Sequence, residues 1–403
     1  MNNRLIDIHL DHLYYVDFNP VSFFFFPTSE LEVDLTINQM KNKPTNISDI
    51  PFNVIKHVSR PLCVMISHLY NLCIKQGKYP DVLKKAIVTP IYKSGDRLEA
   101  CNYRPISTLL SINKIIEKLT YNRMLSFINR CKLLSEYQYG FRAGKSTTDA
   151  IFQVTQYASN CLNIKKYVIY IFLDLKKAFD CVSHKILLNK LYKIGFRGNI
   201  HSLLESYLHD RYQCVNIENF KSQYARVKFG VPQGSILGPI LFLLFINDIV
   251  TLDCDFVSLF ADDAVLGVKG ESFPELLSKL QILILSLSNW LSANKLLPNT
   301  TKTVLMLFSP FKIQRPLPDI FFNNVKLEWV NNIKYLGSII DNKLTFNPQI
   351  DRIEGQISRG LGVIYRLSSF CSRDILLKLY NSLIYSYISQ NILIWGGLSQ
   401  NKF

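Results

Sequence analysis

Cysteine pairs, acid and long apolar runs are what this sequence has little of. Its nine cysteines are scattered from Cys63 to Cys371, and no two stand as Cys-x-x-Cys. The odd count and the missing pairs argue against a zinc ribbon, a zinc knuckle and a disulfide framework, and point to a reducing, intracellular compartment. No apolar run reaches membrane length. The longest, residues 236–246, covers about half a span and stops at Asn247-Asp248, so a buried helix is expected there and no membrane partner. Asp and His interrupt the first apolar residues, so no signal peptide is expected. Neither internal repeats nor low-complexity tracts occur. Acid is short: 31 Asp+Glu face 46 Lys+Arg, a net charge of +15. That excess calls for a polyanionic partner, nucleic acid first. Residues 76–145 alone carry 13 Lys/Arg against 5 Asp/Glu, a net of +8.

With 48% hydrophobic and 12% aromatic residues the chain is globular, with room for two or three lobes. Ser29 followed by Glu30 and Glu32 reads as a helix start. Helical spacing runs over 54–77, with a break or fresh start at Pro61 and Gly77 as its cap. A β-run is expected over 86–93, a loop or edge strand over 102–107, a helix over 112–128 and another from Thr147. Residues 167–173 form a continuous apolar strand ended by Asp174. A helix follows over 183–192, then two short strands within 212–230. Gly230-Val231-Pro232-Gln233-Gly234 is a turn before a helix over 235–250. Further on come a helix over 275–291, a strand over 302–308 and a hairpin from Lys334. From Gln349 onward the pattern is mostly helical.

The chemistry concentrates where two apolar, β-prone runs flank Asp262-Asp263. Adjacent carboxylates between apolar strands repel and are desolvated, and a hard divalent cation with oxygen ligands is the usual remedy. Asp174, ending its own strand 88 residues earlier, can meet this hairpin in one antiparallel sheet. Three converging carboxylates suit two Mg²⁺ ions about 3.5–4 Å apart and in-line phosphoryl transfer. Two other motifs fall short. Gly144-Lys145-Ser146-Thr147 ends like a P-loop, but the glycine needed five residues before Gly144 is Tyr139. Cys181 and His184 lack an oxyanion or orienting partner.

In order along the chain, Phe172-Leu173-Asp174-Leu175-Lys176-Lys177-Ala178-Phe179-Asp180, Gly230-Val231-Pro232-Gln233-Gly234-Ser235-Ile236-Leu237-Gly238-Pro239 and Phe260-Ala261-Asp262-Asp263 resemble the reverse transcriptases of non-LTR, jockey-like LINE retrotransposons. Supporting stretches are Pro90-Ile91-Tyr92-Lys93-Ser94-Gly95-Asp96, Asn102-Tyr103-Arg104-Pro105-Ile106-Ser107, Gln138-Tyr139-Gly140-Phe141-Arg142, Asn299-Thr300-Thr301-Lys302-Thr303 and Lys334-Tyr335-Leu336-Gly337. The resemblance implies an α+β right-hand polymerase. Its parts would be an N-terminal extension (1–80), fingers (81–165), an antiparallel-sheet palm (166–345, with a fingers insertion at about 185–228) and a thumb (346–403). Asp174, Asp262 and Asp263 would hold two Mg²⁺, with Mn²⁺ as a substitute. Phe179 would be the steric gate against a ribose 2′-OH, and Gln233 would lie near the incoming nucleotide. Lys93 and Arg104 would grip its triphosphate. Lys302 would protonate the leaving pyrophosphate. Tyr335-Leu336-Gly337 would belong to the hairpin holding the primer end. Arg352, Arg359 and Arg366, seven apart, make nearly one helical stripe that could follow a duplex backbone. Partners would be an RNA template, a DNA primer and dNTPs.

Three departures accompany this resemblance. The family's Gly- and Asp-containing loop is replaced at residues 43–50 by Lys-Pro-Thr-Asn-Ile-Ser-Asp-Ile. Where a His often follows the primer hairpin, the chain reads Phe346-Asn347-Pro348-Gln349-Ile350. The chain stops soon after Trp395-Gly396-Gly397 without an endonuclease. Polymerase chemistry without target nicking is therefore expected, the nuclease acting in trans. The rival reading is an inactive remnant that only binds nucleic acid.

Overall fold

A computed structural model describes residues 16, 18–41, 49–218, 220–313 and 316–396. Most of the 43–50 loop and Gly397 lie outside them. The chain forms two compact units: Met1–Glu136, Lys176–Thr251 and Asn289–Leu297 make the first; Tyr137–Leu175, Leu252–Ser288 and Pro298–Phe403 make the second.

In the first unit Ser29 caps the helix Glu30–Gln39, accepting from the Glu32 N–H. The expected 54–77 helix is two helices, Phe52–His57 and Ser59–Gln76, broken at Val58 rather than at Pro61. Pro61 sits in the first turn of the second helix, where its missing N–H costs nothing. Gly77 ends that helix at φ 63°. The strand Lys85–Tyr92 pairs antiparallel with Tyr103–Thr108, an edge strand, and parallel with Arg211–Ile217. The 212–230 region holds three strands rather than two. Arg211–Ile217 pairs successively with Phe220–Lys221 and Ala225–Val227, pieces too short to show a period in sequence.

The apolar 236–246 run is the buried helix Leu237–Ile246, continued as a tighter turn over Asn247–Thr251. Lys190, on the helix His184–Lys193, is buried there. Its Nζ donates to the Phe245 carbonyl at 2.6 Å and to Asp248 Oδ1 at 2.8 Å, and Trp290 Nε1 donates to the same oxygen. Removing one partner of such a pair costs about 3–5 kcal/mol.

The second unit is built on a five-stranded sheet. Its order is Glu328–Trp329, Val304–Phe308, Tyr167–Leu173, Asp263–Gly270, Phe256–Phe260, antiparallel except for the first pair. The central strand is buried from Val168 to Leu173 on both faces. Its Val168, Tyr170 and Phe172 share a core with Ile151, Val154, Ala158 and Cys161 of the helix Thr147–Asn163. Ser146 and Asp149 form a capping box at that helix's start. The helix Phe273–Asn294 is long and apolar enough to cross a membrane. Its Leu276, Leu280, Leu283 and Leu287 are nonetheless fully buried, each burial contributing roughly 2 kcal/mol. The hairpin Asn332–Tyr335/Ser338–Asp341 precedes the helix Asn347–Leu367 and shorter helices. After the hairpin, buried Gln349 accepts from the Ile339 N–H at 3.0 Å, tying helix to hairpin.

Candidate active site

Apolar alternation carries the hairpin strands Phe256–Phe260 and Asp263–Gly270 into the sheet, and Phe260 pairs with Asp263. The tip is therefore Ala261-Asp262, with Asp263 the first residue of the returning strand. Ala261 takes φ 55°, a left-handed conformation that glycine fills in most tight hairpins and that costs an alanine about 1–2 kcal/mol. In the neighbouring pairing Leu173 stands opposite Ala264. One step outward on both strands brings Asp174 and Asp263 to the same end of the sheet. A single-residue slip would turn these side chains to opposite faces, so the register is what sets Asp174 and Asp263 on one face.

Asp174 is held on three sides. Asn299 Nδ2 donates to its Oδ2 at 2.7 Å, the Asn299 N–H donates to its carbonyl at 2.8 Å, and its own N–H donates to Thr303 Oγ1 at 3.3 Å. Asn299 and Thr303 were visible in the sequence only as flanks of Lys302. That lysine is exposed, beside the same turn, its N–H on the Asn299 carbonyl. The strand expected from residue 302 starts at Val304, because residues 299–303 form this turn. The ligand chemistry is oxygen only, suited to a hard divalent ion. Among the described residues no three His, Cys, Asp or Glu are gathered into a ready cage. A sparse set of this kind is what Mg²⁺ completes with water and substrate phosphates.

The first unit holds Lys93, Arg104, Phe179 and Gln233. Lys93 bonds by its N–H to Asn102 O, and Ile91 faces Arg104 across the strand pair. Ile91 and Lys93 are two residues apart, so Lys93 and Arg104 project from the same face; both are exposed. Phe179 is half-buried, stacked on buried Phe242 at 4.2 Å between ring centres. Its carbonyl accepts from the Val231 N–H at 2.9 Å. Gln233 Nε2 donates to Asp180 Oδ1 at 2.9 Å, and the Gln233 carbonyl accepts from the Ser107 N–H at 2.7 Å. A side chain at Gly234, φ 112°, would meet the Ser107 carbonyl at 2.5 Å, so only glycine fits this approach.

Three groups assigned no role from the sequence support this turn. His184 Nε2 donates to the Gly230 carbonyl at 2.8 Å, and burial holds its imidazole below the usual value of 6.5. Asp180 is pushed up by burial, opposed by the Gln233 hydrogen bond and Lys177. Glu117 is fully buried and accepts from the Ile236 N–H at 2.6 Å, Tyr207 Oη at 2.9 Å and Asn113 at 3.0 Å. Burial raises its carboxyl above the ordinary range, against the pull of Arg211 and these donors.

The residues of the 332–341 hairpin behave differently from one another. Tyr335 is buried, its ring 5.6 Å from Phe172, so Leu336 and Gly337 are what the turn presents. Arg352 donates to the Gly337 carbonyl at 2.6 Å and so braces the turn. Arg359 bonds within its own helix and is exposed, as is Arg366.

A family profile described as reverse transcriptase (RNA-dependent DNA polymerase) matches residues 91–340. The chain is 30% identical over 340 residues to a probable RNA-directed DNA polymerase from transposon BS of Drosophila melanogaster, covering 80% of this chain and 37% of that protein. It is 28% identical over 372 residues to the corresponding X-element protein of the same fly, covering 90% and 41%. With the RNA-directed DNA polymerase from mobile element jockey, also of D. melanogaster, it shares 30% over 295 residues, covering 71% and 32%. The chain thus spans well under half the length of these relatives. Among solved structures it is similar to an apo telomerase from Candida tropicalis truncated from its C-terminal domain: TM-score 0.47, 14% identity, 74% of this chain and 61% of that one.

Proposed function

The chain belongs to the reverse transcriptase family, beside those of jockey-type non-LTR transposons, and on that premise we propose that it is an RNA-directed DNA polymerase adding dNMP to a primer 3′-OH. The single observation that carries this reading is the strand register that sets Asp174 and Asp262-Asp263 at one end of the sheet. Enzymes of this family work with divalent metal ions, a nucleic-acid template and a primer. Asp174 and Asp262 would be the principal ligands of two Mg²⁺, or Mn²⁺ in their place, with Asp263 assisting. Such ions supply charge neutralisation and lower the pKa of the attacking hydroxyl.

The chain's own residues do the rest. Asn299 fixes which face of the Asp174 carboxylate is free to bind. Lys93 offers the triphosphate a point charge and Arg104 a bidentate fork. The Phe179 ring, backed by Phe242, excludes a 2′-hydroxyl and so selects dNTPs. Gln233 lines the nucleotide from a turn braced by Asp180. Lys302, exposed beside the Asn299 turn, returns a proton to pyrophosphate. In domain terms we assign fingers to 81–165, palm to 166–345 with its insertion at about 185–228, and thumb to 346–403.

A homopolymer RNA template with a DNA primer, Mg²⁺ and labelled dTTP tests the reading. Incorporation by the wild type and none by the Asp262→Ala/Asp263→Ala variant is expected. No incorporation by folded wild-type protein, or equal incorporation by the variant, sinks it. Duplex binding without synthesis would establish a binding-only remnant instead.

A further inference from the structure

We propose that Gln138 is a positioning residue for the Asp262-Asp263 turn, its amide oxygen holding the strained tip by two backbone hydrogen bonds. The inference deepens the polymerase reading and rests on it. Gln138 is 1% exposed. Its Oε1 accepts from the Ala261 N–H at 3.0 Å and from the Gly140 N–H at 2.8 Å. Two N–H donors facing one side-chain atom identify that atom as the oxygen.

The segment around Gln138 is bridged to the hairpin strand Phe256–Phe260 at Leu259. Leu259 N–H donates to the Tyr137 carbonyl at 2.9 Å, and Tyr139 N–H donates to the Leu259 carbonyl at 2.8 Å. The approach is backbone to backbone: a Cβ at Gly140 would lie 2.4 Å from Ala261 N and 3.0 Å from Phe260 C, so no other residue fits. The residue gripped is Ala261, at φ 55°, immediately before Asp262. A left-handed alanine persists only where its surroundings over-determine it, and the Gln138 oxygen is the side-chain group that does so here.

The other half of the amide sharpens the argument. Gln138 Nε2 is buried with no hydrogen-bond partner. Leaving a buried donor unmade costs about 1–3 kcal/mol. An apolar side chain of like size would avoid that cost if packing were the only task. The residue therefore serves through its oxygen alone.

The experiment compares Gln138→Leu and Gln138→Met with the wild type. It measures amide hydrogen exchange of the 256–266 peptide in the free protein, Mn²⁺ binding by water-proton relaxation, and primer-extension kcat and KM. For Leu and Met we expect faster exchange at the tip, with Mn²⁺ affinity and kcat lowered about 10–100-fold, the usual effect of losing a group that orients a metal ligand. The dTTP KM should stay within a few-fold. Leu or Met variants with wild-type exchange and Mn²⁺ affinity overturn the proposal, and so does a failure of both to fold. Wild-type protein that protects the tip but does not extend a primer overturns the polymerase reading instead.

Discussion

In the second unit the strand Tyr167–Leu173 has a neighbour on each side and is buried from Val168 onward, and it ends in Asp174. In the first unit the strand Lys85–Tyr92 is covered only at its start, through Ala86 and Val88, and leads to exposed Tyr92, Lys93 and Arg104 across the pair. The difference lies in what holds each end: Asn299 and Thr303 brace Asp174, and Gln138 braces Ala261, on a sheet whose central strand is buried. In the proposed polymerase, carboxylates that share metal ions gain from a fixed platform, and cations that meet a flexible polyphosphate gain from reach and exposure.

The comparison can be broken at its strongest point first. Asn299→Ala removes the donor on Asp174 Oδ2, and kcat for primer extension should fall about 10–100-fold with dNTP KM little changed. A loss confined to KM would mean that Asp174 needs no brace. Next, Phe179→Val should raise ribonucleotide use relative to deoxynucleotide by roughly tenfold or more, since one good steric or hydrogen-bonding contact is worth about 1–3 kcal/mol of discrimination. An unchanged ratio in competition assays removes the gate from this residue. Lys93→Ala and Arg104→Ala should act mainly on dNTP KM, by several-fold each, with weaker effects at high salt because both are exposed. A kcat-only effect at low salt would contradict a phosphate grip.

The smallest effect concerns His184. Burial lowers its folded pKa below the unfolded 6.5, so below that pH the unfolded state binds the extra proton. Its contribution to stability is intact above pH 6.5 and is lost as pH falls through 6.5 toward the folded value, at up to about 1.4 kcal/mol per pH unit. Glu117 and Asp180, whose pKa values are raised, act in the opposite sense above their unfolded values. The quantity to measure is therefore the difference between wild type and His184→Gln in denaturant titrations from pH 7 to 5. A difference that does not change with pH would show that His184 is not buried neutral.

Much of the fold was legible locally. The Ser29 cap, the Gly77 stop, the 167–173 strand and the buried 236–246 helix each follow from a pattern spanning a few residues. Where the reading slipped, the signal was short or shared. Pro61 signalled a fresh helix start, which the structure places two residues earlier at Ser59, and two of the three strands within 211–227 hold only two or three residues. Tyr335 reads as a primer contact in sequence, yet its ring belongs to the core.

By itself the sequence determined the ordered set Asp174, Phe179, Gln233 and Asp262-Asp263, and with it the family, because side-chain chemistry and spacing are written in the chain. Only the tertiary structure decided what holds those groups. Asn299 reaches Asp174 across 125 residues, Gln138 reaches Ala261 across 123, and Glu117 reaches Ile236 across 119. No local propensity encodes such hydrogen bonds. They exist because burial makes every polar atom seek a partner, and which partner is near depends on how the sheets and helices have already packed.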